Sequence, residues 1–170
     1  GMQLIKSPVH SLAIQKNIDV LCPHNFDKEI LNKLKKINPD LIIVMAYGKI
    51  LPKVVLELPK FGCINIHVSI LPRWRGAAPI EHALMNGDKE TGISIIKLVE
   101  KIDAGPIIAQ EKFTIPSNFN KLQLSNKLSD IGTKLLINTI PILLENKINL
   151  KYQDEKKVTY ANKITSESRK

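Results

Sequence analysis

The sequence predicts an α/β domain with a mostly parallel open sheet and helices on both faces. Helical patterns alternate along the chain with short apolar runs, which is the pattern of strands joined by helices. The run DLIIVMAYG, residues 40–48, is apolar at nearly every position, as a strand covered on both faces would be. A third observation is an exception to this pattern: in CINIHVS, residues 63–69, polar side chains occupy alternate positions.

The first elements follow from local signals. PVHSLAIQKN (8–17) begins with a proline and has helical spacing, and IDVLCP (18–23) has the composition of a short strand. NFDKEILNKLKKINPD (25–40) predicts an amphipathic helix with Asn25 as its N-cap. The strand over 40–48 follows it.

The remaining elements alternate in the same way. They are a helix, a strand, a helix, two strands and a long helix, over 51–60, 63–69, 77–88, 90–100, 105–115 and 119–146. Gly132 and Pro141 are expected to bend or divide the long helix. Residues 151–170 have many charges and little periodicity. We therefore expect one domain over residues 2–150 and the exposed start of an interdomain linker over 151–170.

Composition restricts the class of protein. The chain has 170 residues, 44% of them hydrophobic, which is enough for one domain with a core. Lys and Arg outnumber Asp and Glu by 25 to 16, giving a net charge of +9. This favours an anionic partner such as nucleic acid, although lysine-rich stretches such as KKINPD are also typical of a solvated surface.

Cysteine usage and hydropathy bear on the compartment. Cys22 and Cys63 both lie in apolar runs without metal-ligand spacing, so we expect them to be reduced and buried in a cytoplasmic protein. There is no signal-peptide pattern, and no apolar run approaches the roughly 20 residues of a spanning helix. We expect no membrane association.

The polar positions of residues 63–69 are candidates for a site. Asn65, His67 and Ser69 alternate with apolar residues near the carboxyl end of a strand that should be buried, and ligands of open α/β sheets bind at that end. The alternative is a buried polar ladder satisfied by neighbouring backbone. The loop that follows, with arginines around a tryptophan, favours the site.

Asp103, in the turn EKIDAG, is the second candidate. An acid beside a histidine can fix the imidazole's orientation and assist proton transfer, and the amide of Asn65 can donate hydrogen bonds to a developing oxyanion. Together these groups suit acyl transfer through a tetrahedral intermediate. Two alternatives stay open: Asp103 is only a turn residue, or Ser69 or Cys63 is a nucleophile, although neither lies in a Gly-x-Ser-x-Gly setting.

These residues carry a family resemblance. The run from Asn65 to Pro72, with Gly76 beyond it and Asp103 in an Asp-x-Gly turn, resembles the signature of the folate-dependent formyltransferases. The stretch 45–95, together with RWRGAAPI and VTYANKI, is most similar to the members that act on methionyl initiator tRNA, rather than on glycinamide ribonucleotide or amino sugars. The resemblance runs from about Ser7 to Ile164.

The resemblance implies a formyltransferase-type, Rossmann-like fold and a reaction. A formyl group would pass from 10-formyltetrahydrofolate to the amino group of methionyl initiator tRNA, without a metal. Asn65 and protonated His67 would stabilise the oxyanion, and Asp103 would position His67. The loop along the folate would be formed by four consecutive residues: Ser69, Ile70, Leu71 and Pro72.

The resemblance also implies missing parts. The family's catalytic domain contains a further strand-helix-strand unit ahead of the residues matched here, and a β-barrel that helps to hold tRNA follows the linker. We therefore expect residues 2–150 to be a partial catalytic domain, incomplete at the N-terminus. Its activity would be weakened or lost, and its exposed sheet edge would favour a homo-oligomer. The alternatives are a non-catalytic fragment that binds folate or RNA, and a formyltransferase for a small amine such as an amino-sugar nucleotide.

Overall fold

The structure, a computed structural model, describes residues 6–165, which belong to two compact units. The first unit ends at Lys36 and contains α1 (Pro8–Gln15) and nearly all of α2 (Lys28–Ile37). Ser7 caps α1, since its side chain accepts a hydrogen bond from the backbone N–H of His10. Neither helix contains a buried residue.

Three details of the first unit differ from the prediction. Asp27, not Asn25, accepts the capping hydrogen bond from the N–H of Ile30, at 2.9 Å. The predicted strand over 18–23 does not form. Its apolar side chains are largely exposed, with Ile18 at 62%, so no packing supports an extended segment. Cys22, in the same stretch, is exposed rather than buried.

The second unit contains the sheet and the remaining helices. A central sheet of four strands has the order β1-β2-β4-β5, and a separate pair joins β3 to β6. The strands are β1 (Ile42–Val44), β2 (Cys63–His67), β3 (Arg75–Gly76), β4 (Glu90–Lys97), β5 (Ile107–Thr114) and β6 (Tyr160–Ala161). The helices are α3 (Lys53–Leu56), α4 (Pro79–Met85) and α5 (Lys121–Leu144), with a 3-10 turn at Glu155–Lys157.

The predicted α/β class, with helices against a central sheet, is confirmed, but the strand directions differ from the mostly parallel prediction. β1 and β2 are parallel, whereas β2 with β4 and β4 with β5 are antiparallel. The segment between β4 and β5, residues 98–106, is too short for the crossover that parallel neighbours require. The sheet of the described residues is therefore mixed.

Helices lie against both faces of the sheet. α5 begins with a capping box between Asn120 and Gln123 and runs without division through Gly132 and Pro141. Its buried face packs against the sheet in a cluster made of Ile66, Ile93, Leu124, Leu128 and Ile131. On the opposite face, the thiol of Cys63 lies 3.5 Å from the carbonyl oxygen of Val55 in α3. The face of β2 that carries Cys63 also carries Asn65 and His67, because side chains alternate along a strand.

Residues 151–161 lie against this unit instead of extending away from it. Lys151 forms a bridge to Ile107, and β6 pairs in parallel with β3. Ala161 is fully buried. That these residues begin a linker to another domain stays a prediction. None of the helices in residues 6–165 has the length and apolar content needed to cross a membrane.

Candidate active site

The structure brings the three predicted catalytic residues together. Asn65 and His67 lie on one face of β2, opposite Ile96 and Ser94 of β4. The turn that contains Asp103 folds over this face. The Asp103 side chain is 11% exposed and that of His67 is 5% exposed, so the pair is largely shielded from water.

The Asp103 carboxylate is held by three groups. Its Oδ1 accepts a hydrogen bond from Nδ2 of Asn65 at 3.2 Å, and its Oδ2 accepts one from the backbone N–H of Gly76 at 2.9 Å. Oδ2 also lies 3.5 Å from Nδ1 of His67. The backbone of Asp103 has a φ of +47°, a left-handed conformation that aspartate tolerates better than most residues. The carboxylate is therefore fixed from the side of β2 and from the loop after it.

Both ring nitrogens of His67 face acceptors. Nε2 lies 2.7 Å from the carbonyl oxygen of Trp74, and Nδ1 faces the Asp103 carboxylate. A carbonyl oxygen can only accept a hydrogen bond, so Nε2 carries a hydrogen and donates it to Trp74. The Nδ2 of Asn65 has one further hydrogen, for which residues 6–165 supply no partner.

The residues predicted to contact folate have other contacts here. Ser69 is buried and donates to the carbonyl oxygen of Arg73 at 2.6 Å. Leu71 is buried in a cluster with Ile96 and Ile107, and its N–H donates to Ser94. None of the four, Ser69, Ile70, Leu71 and Pro72, lines the cleft beside His67. In this structure they brace the loop, and their contact with folate stays a prediction.

A cleft of about 420 Å³ opens beside the three catalytic candidates, all of which line it. Much of the remaining wall comes from the loop after β1, residues 45–51, and from residues 98–100 and 102 of the loop after β4. Sequence reasoning assigned the first part of residues 45–51 to a strand. Ala46 and Gly48, with φ of +50° and +69°, lie beyond the end of β1, where the backbone bends. Gly48 was the available sign, because an isolated glycine within a strand pattern indicates an irregularity in the strand.

Cys63 does not have the properties of a nucleophile. Burial raises the pKa of its thiol to about 11, and the side chain is 1% exposed. Thiolate, the reactive form, is therefore disfavoured at neutral pH. Ser69 also lies outside the cleft, with its hydroxyl engaged as described above. The structure thus favours chemistry in which no protein nucleophile takes part.

The arginines and the tryptophan after β2 are paired within the protein. Trp74 is 8% exposed, and its indole N–H donates to Asp88 at 2.7 Å. The guanidinium of Arg73 lies over the indole ring and also binds Asp88, which lowers the pKa of that carboxyl group. This packing leaves little of the indole ring exposed for a nucleic-acid base to stack on.

Arg75 is fully buried and reaches the segment after residue 150. It donates to Gln153 and to Glu155, and the hydrogen bond from Arg75, followed by that from Lys101, lowers the pKa of Glu155 to about 2. The sequence did not indicate these contacts of Gln153, because Gln153 is 50 residues from Asp103 and no periodic pattern marks it. Within residues 6–165, no group of three or more His, Cys, Asp or Glu side chains could hold a metal ion.

Comparisons with known proteins show the family of the chain. The family described as Formyl transferase matches residues 3–140. Methionyl-tRNA formyltransferase of Prochlorococcus marinus (strain MIT 9312) is 48% identical over 168 residues, which are 97% of this chain and 51% of that protein. This chain spans about half the length of the curated relatives it matches.

Solved structures share the fold. Phosphoribosylglycinamide formyltransferase of Bacillus halodurans is 27% identical with a TM-score of 0.74, covering 85% of this chain and 79% of that one. The formyltransferase PseJ of Anoxybacillus kamchatkensis is 25% identical with a TM-score of 0.71, covering 91% and 79%; it was solved in complex with UDP-4,6-dideoxy-4-formamido-L-AltNAc and tetrahydrofolate. The extent of the family match and the identity to the curated relatives show that the chain belongs to the formyl transferase family.

Proposed function

We propose that this chain carries the chemical centre of a methionyl-tRNA formyltransferase. It would transfer a formyl group from 10-formyltetrahydrofolate to the amino group of methionyl initiator tRNA. The observation that carries the proposal is the contact of Asn65, His67 and Asp103 on the wall of one cleft. The name of the 48% identical relative supports the choice of acceptor, and the net charge of +9 suits a polyanionic substrate.

The cleft fits a folate. Its volume of about 420 Å³ lies in the range of small-molecule sites. Apolar side chains such as Met45 and Leu51 line it, as a flat ring system requires. Ala46 and Gly48 lie outside the helices and strands, so their backbone groups can serve the polar edge of such a ring. The tetrahydrofolate complex of PseJ supports a folate as the donor.

Asn65, His67 and Asp103 would each have a separate role in the reaction. The bound donor supplies the formyl group. Asn65 would direct its remaining N–H to the oxygen on which negative charge develops, and charged His67 would stabilise that charge. Asp103 would hold His67 in place and assist removal of a proton from the attacking amine. Because the Nε2–H of His67 donates to Trp74, a substrate oxygen reached by that hydrogen must compete with the Trp74 carbonyl.

The proposal is tested by the product. The chain is incubated with 10-formyltetrahydrofolate and methionyl initiator tRNA, and formylmethionine released from the tRNA is measured by mass spectrometry. Asn65→Ala is expected to lower kcat by roughly 10²–10³-fold, the usual effect of losing an oxyanion donor. Asn126→Ala, on the exposed surface of α5, is the matched control and should change nothing. Full activity of Asn65→Ala would contradict the proposed role.

The acceptor is tested separately. Formylation of an amino-sugar nucleotide, with none of charged tRNA, would replace the proposed acceptor by a small amine. Binding of folate without transfer to either amine would support the alternative that the chain is a non-catalytic, folate-binding fragment. Action on initiator tRNA would place the protein in the cytoplasm.

Pairing of two copies through the edge of β1 stays a prediction, which sedimentation velocity can test.

A further inference from the structure

The segment after residue 150 reaches the candidate active site through Gln153. We infer that Gln153 is a positioning residue that fixes the Asp103 turn, an inference that rests on the function proposed above. In this view the segment predicted as a linker is part of the machinery of the site. Gln153 does not line the cleft and does not touch His67, so its effect on the site would pass through the turn that contains Asp103.

The Gln153 amide is completely used. Its Nε2 donates to the carbonyl oxygens of Asp103 and Gly105, both at 2.7 Å. Its Oε1 accepts from Nε and Nη2 of Arg75 at 3.0 and 2.9 Å. One side chain therefore holds two backbone groups of the three-residue turn from Asp103 to Gly105, and is itself held by a fully buried guanidinium. A group fixed on both sides in this way is well suited to set the position of the turn.

The carboxylate depends on where that turn lies. Gln153 holds the Asp103 backbone, while Asn65, Gly76 and His67 contact the side chain of Asp103. Hydrogen bonds weaken steeply as they lengthen or bend. A small displacement of the backbone would therefore loosen all three side-chain contacts together.

The same segment also contacts Trp74, whose carbonyl oxygen lies beside Nε2 of His67. Thr159 accepts a hydrogen bond through Oγ1 from the N–H of Trp74, at 2.9 Å. The carbonyl of Trp74 is the group that faces Nε2 of His67. Residues 153–159 thus contact the backbone on both sides of the His67–Asp103 pair, which agrees with a positioning role.

Gln153→Glu is the sharpest test. The new carboxylate keeps the shape and the partnership with Arg75, but it cannot donate to the carbonyls of Asp103 and Gly105. Gln153→Ala is the second variant, which removes all four hydrogen bonds. Gln123→Glu is the matched control, because Gln123 is exposed at the start of α5 and glutamate serves a capping box equally well.

Hydrogen exchange at two neighbouring amides is the first readout, and it does not depend on activity. The N–H of Gly76 donates to the Asp103 carboxylate, whereas that of Arg75 donates to the carbonyl of Thr159. In Gln153→Glu we expect exchange of Gly76 to rise roughly tenfold while Arg75 stays within about twofold. Unchanged Gly76, or equal increases at both amides, would overturn the inference.

Kinetics are the second readout. We expect kcat to fall about 100-fold, as a misplaced catalytic group produces, with KM within about twofold, because Gln153 does not touch the cleft. A loss confined to KM would contradict the inference. If the unmodified chain transfers no formyl group, the kinetic readout is lost, and the comparison of Gly76 with Arg75 still decides whether Gln153 positions Asp103.

Discussion

Replacing Gly105 with alanine is expected to disable the site by moving Asp103. A Cβ at Gly105 would lie 1.7 Å from the carbonyl oxygen of Lys97, where real Cβ atoms stay beyond 3.0 Å. The turn must therefore move away from β4 by about 1.3 Å, the difference between these distances. The Asp103 carboxylate makes hydrogen bonds of 2.9 and 3.2 Å to Gly76 and Asn65, and such a shift would break or bend them.

The size of the effect follows from this displacement. A misplacement of about 1 Å can lower the rate roughly 100-fold, which corresponds to about 2.7 kcal/mol in the barrier. Backbone overlap also destabilises the fold, by about 1–3 kcal/mol if it resembles overpacking of a core. Both quantities can be measured, the first by formyl transfer and the second by urea unfolding.

Gly132→Ala is the matched control for this substitution. Gly132 lies in α5, and a Cβ there would be 3.5 Å from side-chain atoms of Ile66 and Ile93, an ordinary contact. Alanine favours a helix over glycine by about 0.5–1 kcal/mol, so this variant should be as stable as the unmodified chain or more so, with normal transfer. Gly105→Ala with unchanged stability and transfer would refute the reasoning about the turn.

Three further predictions concern the core, the thiols and acid. Leu128→Ala should lower the free energy of unfolding by about 2–5 kcal/mol, because Leu128 is fully buried, whereas Leu122→Ala, at a side chain 69% exposed, should change it little. A maleimide should label exposed Cys22 quickly and buried Cys63 only on unfolding, and mass spectrometry of the two peptides would show equal labelling if this is wrong. The pKa of Glu155 in the folded state is lowered from 4.5 to about 2. The ionised carboxylate therefore stabilises the fold above pH 4.5, and this stabilisation is lost as the pH falls through 2. The difference in unfolding free energy between the unmodified chain and Glu155→Gln should vanish on acidification, and a constant difference would contradict this.

Much of the fold could be predicted because its signals are local. The periodicity of α5 and the apolar runs of β4 and β5 are visible in short windows of sequence. Strand direction is not local, since it depends on the route by which the chain returns to the sheet. The absent strand over 18–23 shows the same limit, because an apolar run becomes a strand only where a neighbour covers it.

The site was predictable in part for a related reason. Asn65 and His67 are polar at positions where a buried strand is expected to be apolar, and Asp103 lies in a recognisable turn. Gln153 leaves no such mark, and the glycine at residue 48 indicates the end of a strand without showing that residues 45–51 line a cleft. Ala46 and Gly48 line the cleft in left-handed backbone conformations, and Gln153 contacts a turn 50 residues away, so only the folded chain reveals their positions.

The central claim is that the cleft beside Asn65, His67 and Asp103 carries out folate-dependent formyl transfer to charged tRNA. The most direct measurement is the release of tetrahydrofolate from 10-formyltetrahydrofolate, with methionyl initiator tRNA, with uncharged tRNA and without tRNA, for the unmodified chain and for His67→Ala. We expect release that requires the methionyl group and is lost with His67. Release that is independent of charged tRNA, or that persists at the same rate in His67→Ala, would contradict the account.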